Sequence, residues 1–134
     1  MDEREPIPEQ VLLAEQRPFS SREEAIIDFL NSGPLGRNEL REQAATARVV
    51  ATCSCGCPSV WIEADPSAPP AVYTEAEIPD GRTDHVALTA YQHKTRGSTE
   101  VTLHVVNGQM FELEIWGHAY GVRPRVDVSK LERQ

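Results

Sequence analysis

The chain lacks a basic excess, a long apolar run and cysteines in more than one place, and each absence removes a class of function. Lys and Arg number 13 against 21 Asp and Glu, and the acidic excess is shared between the two halves of the chain. A nucleic-acid binder needs clustered Lys and Arg to displace counterions from phosphates, so no nucleic-acid partner is expected. No window approaches the roughly eighteen apolar residues that a membrane span requires, and no membrane partner is expected either. The opening residues Met1-Asp2-Glu3-Arg4-Glu5-Pro6 are acidic where a secretory leader is basic and then apolar, which makes the cytoplasm the expected compartment. G-x-S-x-G, H-E-x-x-H, phosphate-binding loops and dinucleotide-binding glycine patterns are all missing, so no catalytic residue is assigned. Three cysteines in a single segment cannot build the spread framework of a disulfide-stapled fold.

What remains is an ordinary globular composition, 40% apolar and 25% charged over 134 residues, enough for one domain with its own core. Residues 6–46 read as helical. Pro8 suits a first helical position and Pro18 a stop, so a short helix is expected between them. Ser20 and Ser21 precede Glu23 and Glu24 in a capping-box arrangement, and Ile26, Ile27, Phe29 and Leu30 follow on one helical face, ended by Asn31-Ser32-Gly33-Pro34. A third helix is expected from Asn38, its cap, to Ala45, with Leu40 and Ala44 inward.

From Arg48 the period changes to alternation. Arg48–Thr52 and Ser59–Glu63 are expected strands flanking the cysteines. Ala71–Ile78 follows the Pro-rich bend as a further strand, Pro79–Arg82 is a turn, and His85–His93, Glu100–Val106 and Gln109–Trp116 complete a sheet over residues 47–118. Residues 119–134 read as a tail. The expected fold is α+β in one domain: two to three N-terminal helices packed on one face of a five- to six-stranded antiparallel sheet, its strands adjacent in sequence order.

Asn107-Gly108 invites a two-residue hairpin turn, a register that sets Leu103 opposite Glu112. A three-residue loop with Gly108 left-handed moves the pairing so that Leu103 faces Phe111 and Val101 faces Leu113. A one-residue slip exchanges buried and solvent faces, so the apolar match predicts the longer, bulged loop. Val86, Leu88, Val101, Leu103, Phe111, Leu113 and Ile115 then face the helices. The opposite face collects Tyr91, His104, Glu112, Glu114 and Trp116, together with the remaining histidines. An uncovered sheet face is normally polar, but aromatic residues among the polar ones are what a binding patch contains.

Cys53-Ser54-Cys55-Gly56-Cys57-Pro58 is the most specific feature of the sequence. Alternate residues of a strand share a face, so Cys53 and Cys55 can address one ion, with Cys57 a third candidate ligand. Structural zinc takes four ligands, usually as two separated pairs, and no second pair exists; a histidine or a second chain would have to complete the set. Redox chemistry lacks the C-x-x-C spacing. The plainer reading makes Gly56 and Pro58 a tight turn with the thiols as small apolar groups.

Leu40-Arg41-Glu42-Gln43, Ala47-Arg48-Val49-Val50 and the C-x-C-G-C-P run through Val60, with the later Asn107-Gly108 turn leading to Glu112-Leu113-Glu114-Ile115, resemble a group of small actinobacterial proteins carrying a C-x-C-G-C-P segment. The resemblance implies one coherent domain and transfers no activity. The leading functional expectation is a non-enzymatic interaction protein of immunity or antitoxin type. It would meet a basic protein partner through Tyr91, His104, Glu112, Glu114 and Trp116. The alternative is a metal-binding protein with no resident cofactor except zinc held by Cys53, Cys55 and Cys57. A small enzyme with an unrecognised site is the third.

Overall fold

The computed structural model describes residues 10–93, 98–117 and 125–133. It is an α+β fold with two α-helices and a six-stranded sheet: β1 (Gln10–Arg17), α1 (Ser21–Asn31), α2 (Asn38–Thr46), β2 (Arg48–Cys53), β3 (Val60–Glu63), β4 (His85–His93), β5 (Ser98–Val106) and β6 (Gln109–Gly117). The sheet order is β1-β2-β3-β6-β5-β4, and every pairing is antiparallel. The strands are therefore not adjacent in sequence order throughout. The chain leaves β3, crosses to the far edge, and returns as the β4–β5–β6 meander that seats β6 against β3.

The helix expected between Pro8 and Pro18 is instead the edge strand β1, Val11 pairing with Thr52 and Leu12 with Ala51. Nine residues between prolines are too few for a helix to hold itself in water, and the open edge of β2 offers backbone partners instead. Capping drives α1 as expected. The Ser20 hydroxyl accepts from the Glu23 amide at 3.2 Å, and the Glu23 carboxylate accepts from the Ser20 amide at 2.8 Å. Ile26, Ile27 and Leu30 are buried, while Phe29 packs at the margin. Asn38 does not cap α2; it is already helical. The Asn31 side chain holds the entry, accepting from the Arg37 amide at 2.8 Å and donating to the Arg37 carbonyl at 3.0 Å.

α1 contacts β4 and β5, α2 contacts β6, and the helical Ile26, Ile27, Leu30 and Leu40 form one cluster with Val49, Val86, Leu88, Val101, Leu103, Leu113 and Ile115. Ala44, half-buried, packs against the core beside Leu40 as expected, but the deeper residue is Gln43, fully buried. Gln43 donates to the carbonyls of Pro69 (3.0 Å) and Gly108 (2.8 Å) and accepts from the Met110 amide (2.9 Å). It ties α2 to the β5–β6 turn.

Two further expectations are corrected. Ala71–Ile78 is not a strand. Ala71 and Tyr73 are buried and Val72 exposed, which is the alternation seen in the sequence, but the segment's backbone meets the sheet at one hydrogen bond, Ala71 to the Gly108 carbonyl, and it ends in a 3-10 turn at Glu75–Glu77. Of the expected tail, the described residues 125–133 pack back on the sheet. Tyr91 and Glu132 exchange both backbone hydrogen bonds at 2.8 Å, and Leu131 is buried.

The hairpin resolves the conflict between turn propensity and face matching in an unexpected way. Asn107 (φ 51°) and Gly108 (φ 79°) form the two-residue turn that Asn-Gly favours, pairing Val106 with Gln109 and Val105 with Met110. Phe111 is then skipped as a bulge, so that His104 pairs with Glu112 and Leu103 with Leu113. Gly108 is left-handed as expected, but the bulge lies in the strand and not in the loop. Phe111 is 44% exposed and does not share the buried face with Leu103. Only glycine fits at 108, because a Cβ there would lie 2.5 Å from the Ala71 carbonyl oxygen. No helix among the described residues is long and apolar enough to cross a membrane.

Candidate functional site

The cysteine segment is the turn between β2 and β3. Cys53 closes β2, the Gly56 amide donates to the Cys53 carbonyl at 3.1 Å, and Gly56 takes a left-handed φ of 81° that reverses the chain. The reversal brings Cys57 back beside the other two. All three Sγ atoms lie within 4.8 Å of one another, with Cys53 and Cys55 in contact at 3.0 Å. Every thiol is free. Beyond Pro58, the Ser59 hydroxyl accepts from the Ile115 amide at 2.8 Å and donates to its carbonyl at 3.2 Å, which fastens the turn to the last residues of β6.

The three thiols have unequal surroundings. Cys53 is buried, Cys57 half-buried and Cys55 exposed. Burial pushes the Cys53 thiol up to about 12, reinforced by its hydrogen bond to Cys55. Cys55 moves the other way: the hydrogen bond from Cys53, followed by those from Cys57 and its backbone amide (3.4 Å), holds it below the usual thiol range. The thiolate, the form that ligates metals, is thus favoured at Cys55 over Cys53. Sulfurs bound to one ion at about 2.3 Å stand roughly 3.8–4.0 Å apart, whether the ion is tetrahedral or trigonal. That spacing falls inside the span these thiols already occupy.

Among the described residues no histidine, aspartate or glutamate joins the three thiols in a metal-sized group. His85, His93 and His104 sit on β4 and β5, beyond β6 from the cysteine hairpin. His118 lies outside the described residues. A cleft of about 520 Å³ opens beside Cys57, lined also by Arg17, Ser20, Arg22 and Pro58. Sequence reasoning did not foresee it, because its far wall is the start of α1.

The second candidate group lies on the sheet face turned away from the core. Register places Tyr91, Glu100 and Trp116 in one row across three strands, with His104 beside Glu112 and Thr102 beside Glu114 in the next rows. Trp116 is 57% exposed. Tyr91 is half-buried, its backbone engaged by Glu132. The His104 ring links two partners: Nδ1 meets His85 Nε2 at 2.9 Å, and Nε2 meets the Glu114 carboxylate at 3.1 Å. Half-burial raises the Glu112 carboxyl above its usual range, opposed by His104. Phe111, expected in the core, joins this face instead. At the bulge two successive side chains, Phe111 and Glu112, leave the core together, and Phe111 shares a cleft with Trp61. Only the bulge could have revealed it, and nothing in the local sequence marks a bulge.

No protein-family model, curated protein or solved structure matches the chain.

Proposed function

We propose that the protein binds one thiophilic metal ion per chain through the thiolates of Cys53, Cys55 and Cys57. The observation that supports this is the convergence of three free Sγ atoms within 4.8 Å on a single turn. Thiols that serve only as small apolar groups have no need to converge, and an exposed Cys55 is not one of them. The compartment this function requires is a reducing one, the cytoplasm, where thiols stay free. Native mass spectrometry of the full chain, prepared reduced and without chelator, tests it. One ion per chain is expected, held at least tenfold more weakly in Cys55→Ser and Cys57→Ser while far-ultraviolet circular dichroism is unchanged. A metal-free wild type after incubation with zinc, cadmium and copper(I) in turn would refute it.

A second reading rests on a separate observation, the exposure of Trp116 and Phe111 on a face that also carries Glu112 and Glu114. Aromatic anchors beside carboxylates suit a basic protein partner of the kind an immunity protein or antitoxin neutralises, with the acids steering its approach. Trp116→Ala is then expected to abolish co-purification of a native basic partner and leave the thermal midpoint nearly unchanged. A variant that unfolds, or a complex indifferent to both the substitution and salt, would count against it.

A further inference from the structure

Resting on the metal reading above, we infer that the ion is cargo and not a structural support, and that it is a soft ion content with three sulfurs, copper(I) in type. Two features of the fold argue for cargo. A structural zinc site draws ligands from separated segments and clamps them together. Here all three ligands fall between Cys53 and Cys57, inside one turn, so the ion joins no two distant parts of the chain. The core that holds the fold is complete elsewhere. One cluster runs from Phe19 to Leu131, and no described buried side-chain nitrogen or oxygen lacks a partner. Removing the ion leaves that core untouched.

Donor chemistry selects the ion. Zinc satisfies its tetrahedral preference in structural sites with four protein ligands, often mixing sulfur with imidazole. The described group at this turn offers three sulfurs, with neither imidazole nor carboxylate among them. Soft thiolate sets accept both copper(I) and zinc, but copper(I) is satisfied by three sulfurs, whereas structural zinc takes four protein ligands. Exposure is graded in the order that release requires. Cys53 is buried beneath, Cys57 is half-covered at the mouth of the cleft, and Cys55 stands in solvent, so an incoming thiol reaches the ion from one side without the protein opening. Ligand exchange at such a centre proceeds one sulfur at a time: each acceptor thiolate forms a bond to copper as one cysteine bond breaks, and the proton the acceptor loses passes to the departing cysteine. No electron moves.

The experiment uses the full reduced chain under anaerobic conditions, loaded with one equivalent of zinc and then titrated with copper(I) buffered by a chromogenic chelator. Copper(I) is expected to displace zinc at one equivalent, X-ray absorption to show three sulfurs and no nitrogen around copper, and the thermal midpoint to stay where it was without metal. Addition of a dithiol acceptor should withdraw the copper within the mixing time. Cys55→Ser, altered at the exposed ligand so that the core is spared, should lower copper affinity at least tenfold and change the sulfur count to two. Zinc retained against copper(I), a nitrogen ligand in the copper or zinc spectrum, or a thermal midpoint that rises steeply with zinc would overturn the inference and leave a structural zinc site in its place. Failure of both ions to bind would remove the metal reading itself.

Discussion

Replacing Gln43 by Met tests the claim that α2 is pinned to the β5–β6 turn by one side chain. Methionine keeps the length and volume but neither hydrogen-bonding end. Of the three groups Gln43 satisfies, the Gly108 carbonyl retains its bond from the Ala71 amide at 2.8 Å, and the Pro69 carbonyl lies near enough to the surface to find water. The Met110 amide has no such substitute, because it is buried behind the turn. One orphaned buried N–H costs about 1–3 kcal/mol, and the bond to Pro69 adds a smaller amount, so the expected loss is about 2–4 kcal/mol. Urea unfolding followed by tryptophan fluorescence and circular dichroism measures it as a lower midpoint at constant slope. Gln43→Glu sharpens the test. Its carboxylate still accepts from Met110 but sets a negative oxygen against the carbonyls of Pro69 and Gly108, which favours the protonated acid in the folded state. The Glu variant should therefore be weak at neutral pH and recover as pH falls toward about 4.3, whereas the Met variant should show no such recovery. A loss below about 0.5 kcal/mol for Gln43→Met, or a Glu variant indifferent to pH, would show that the turn is held by something else.

Two other perturbations probe the helical layer. Ile27→Ala in α1 removes a buried side chain from the cluster shared with the sheet and should cost about 2–4 kcal/mol in urea unfolding; a loss under about 0.5 kcal/mol would mean that the site collapses freely. Glu23 joins the capping box and receives Arg17 at 2.8 and 3.0 Å. Burial alone would raise its carboxyl, but the hydrogen bonds from Arg17 and Ser20 outweigh it and hold the group below its ordinary range. A lowered acid contributes stability that is present above its unfolded pKa and lost as pH falls through the folded one. The gap in stability between wild type and Glu23→Gln should accordingly be full at pH 7 and close below about pH 4; a gap that persists at pH 2 would contradict the assignment.

Local signals were legible where residues close in sequence settle the outcome. The Ser20–Glu23 capping box and the buried Ile26, Ile27 and Leu30 follow from neighbours a few positions apart; so does the two-residue Asn107-Gly108 turn, whose local signal the face-matching argument wrongly overrode. The grouping of Cys53, Cys55 and Cys57 was visible for the same reason. That no described histidine joins the three thiols was not, since that depends on how far the sheet order carries β4 and β5, with their histidines, from the β2–β3 turn. Long-range pairing also decided β1. Gln10–Arg17 has the composition of a helix and becomes a strand because β2 offers it an edge. Gln43 gave no sign at all. A polar residue in a polar helix reads as solvent-facing until the turn it holds, 65 residues away, is folded against it.

The bulge at Phe111 also changes how the sheet tolerates a shorter chain. Deleting one residue from the interior of a strand ordinarily turns every side chain beyond it to the wrong face. Here Val105 pairs with Met110 and His104 with Glu112, and Phe111 is opposite neither. Its deletion joins two stretches of ladder that are already in phase and leaves Leu113 and Ile115 facing Leu103 and Val101. The start of β6, at Phe111, is thus a permitted site for losing a residue. Such a shortened protein would keep its core and its cysteine turn while losing one exposed aromatic ring from the open face.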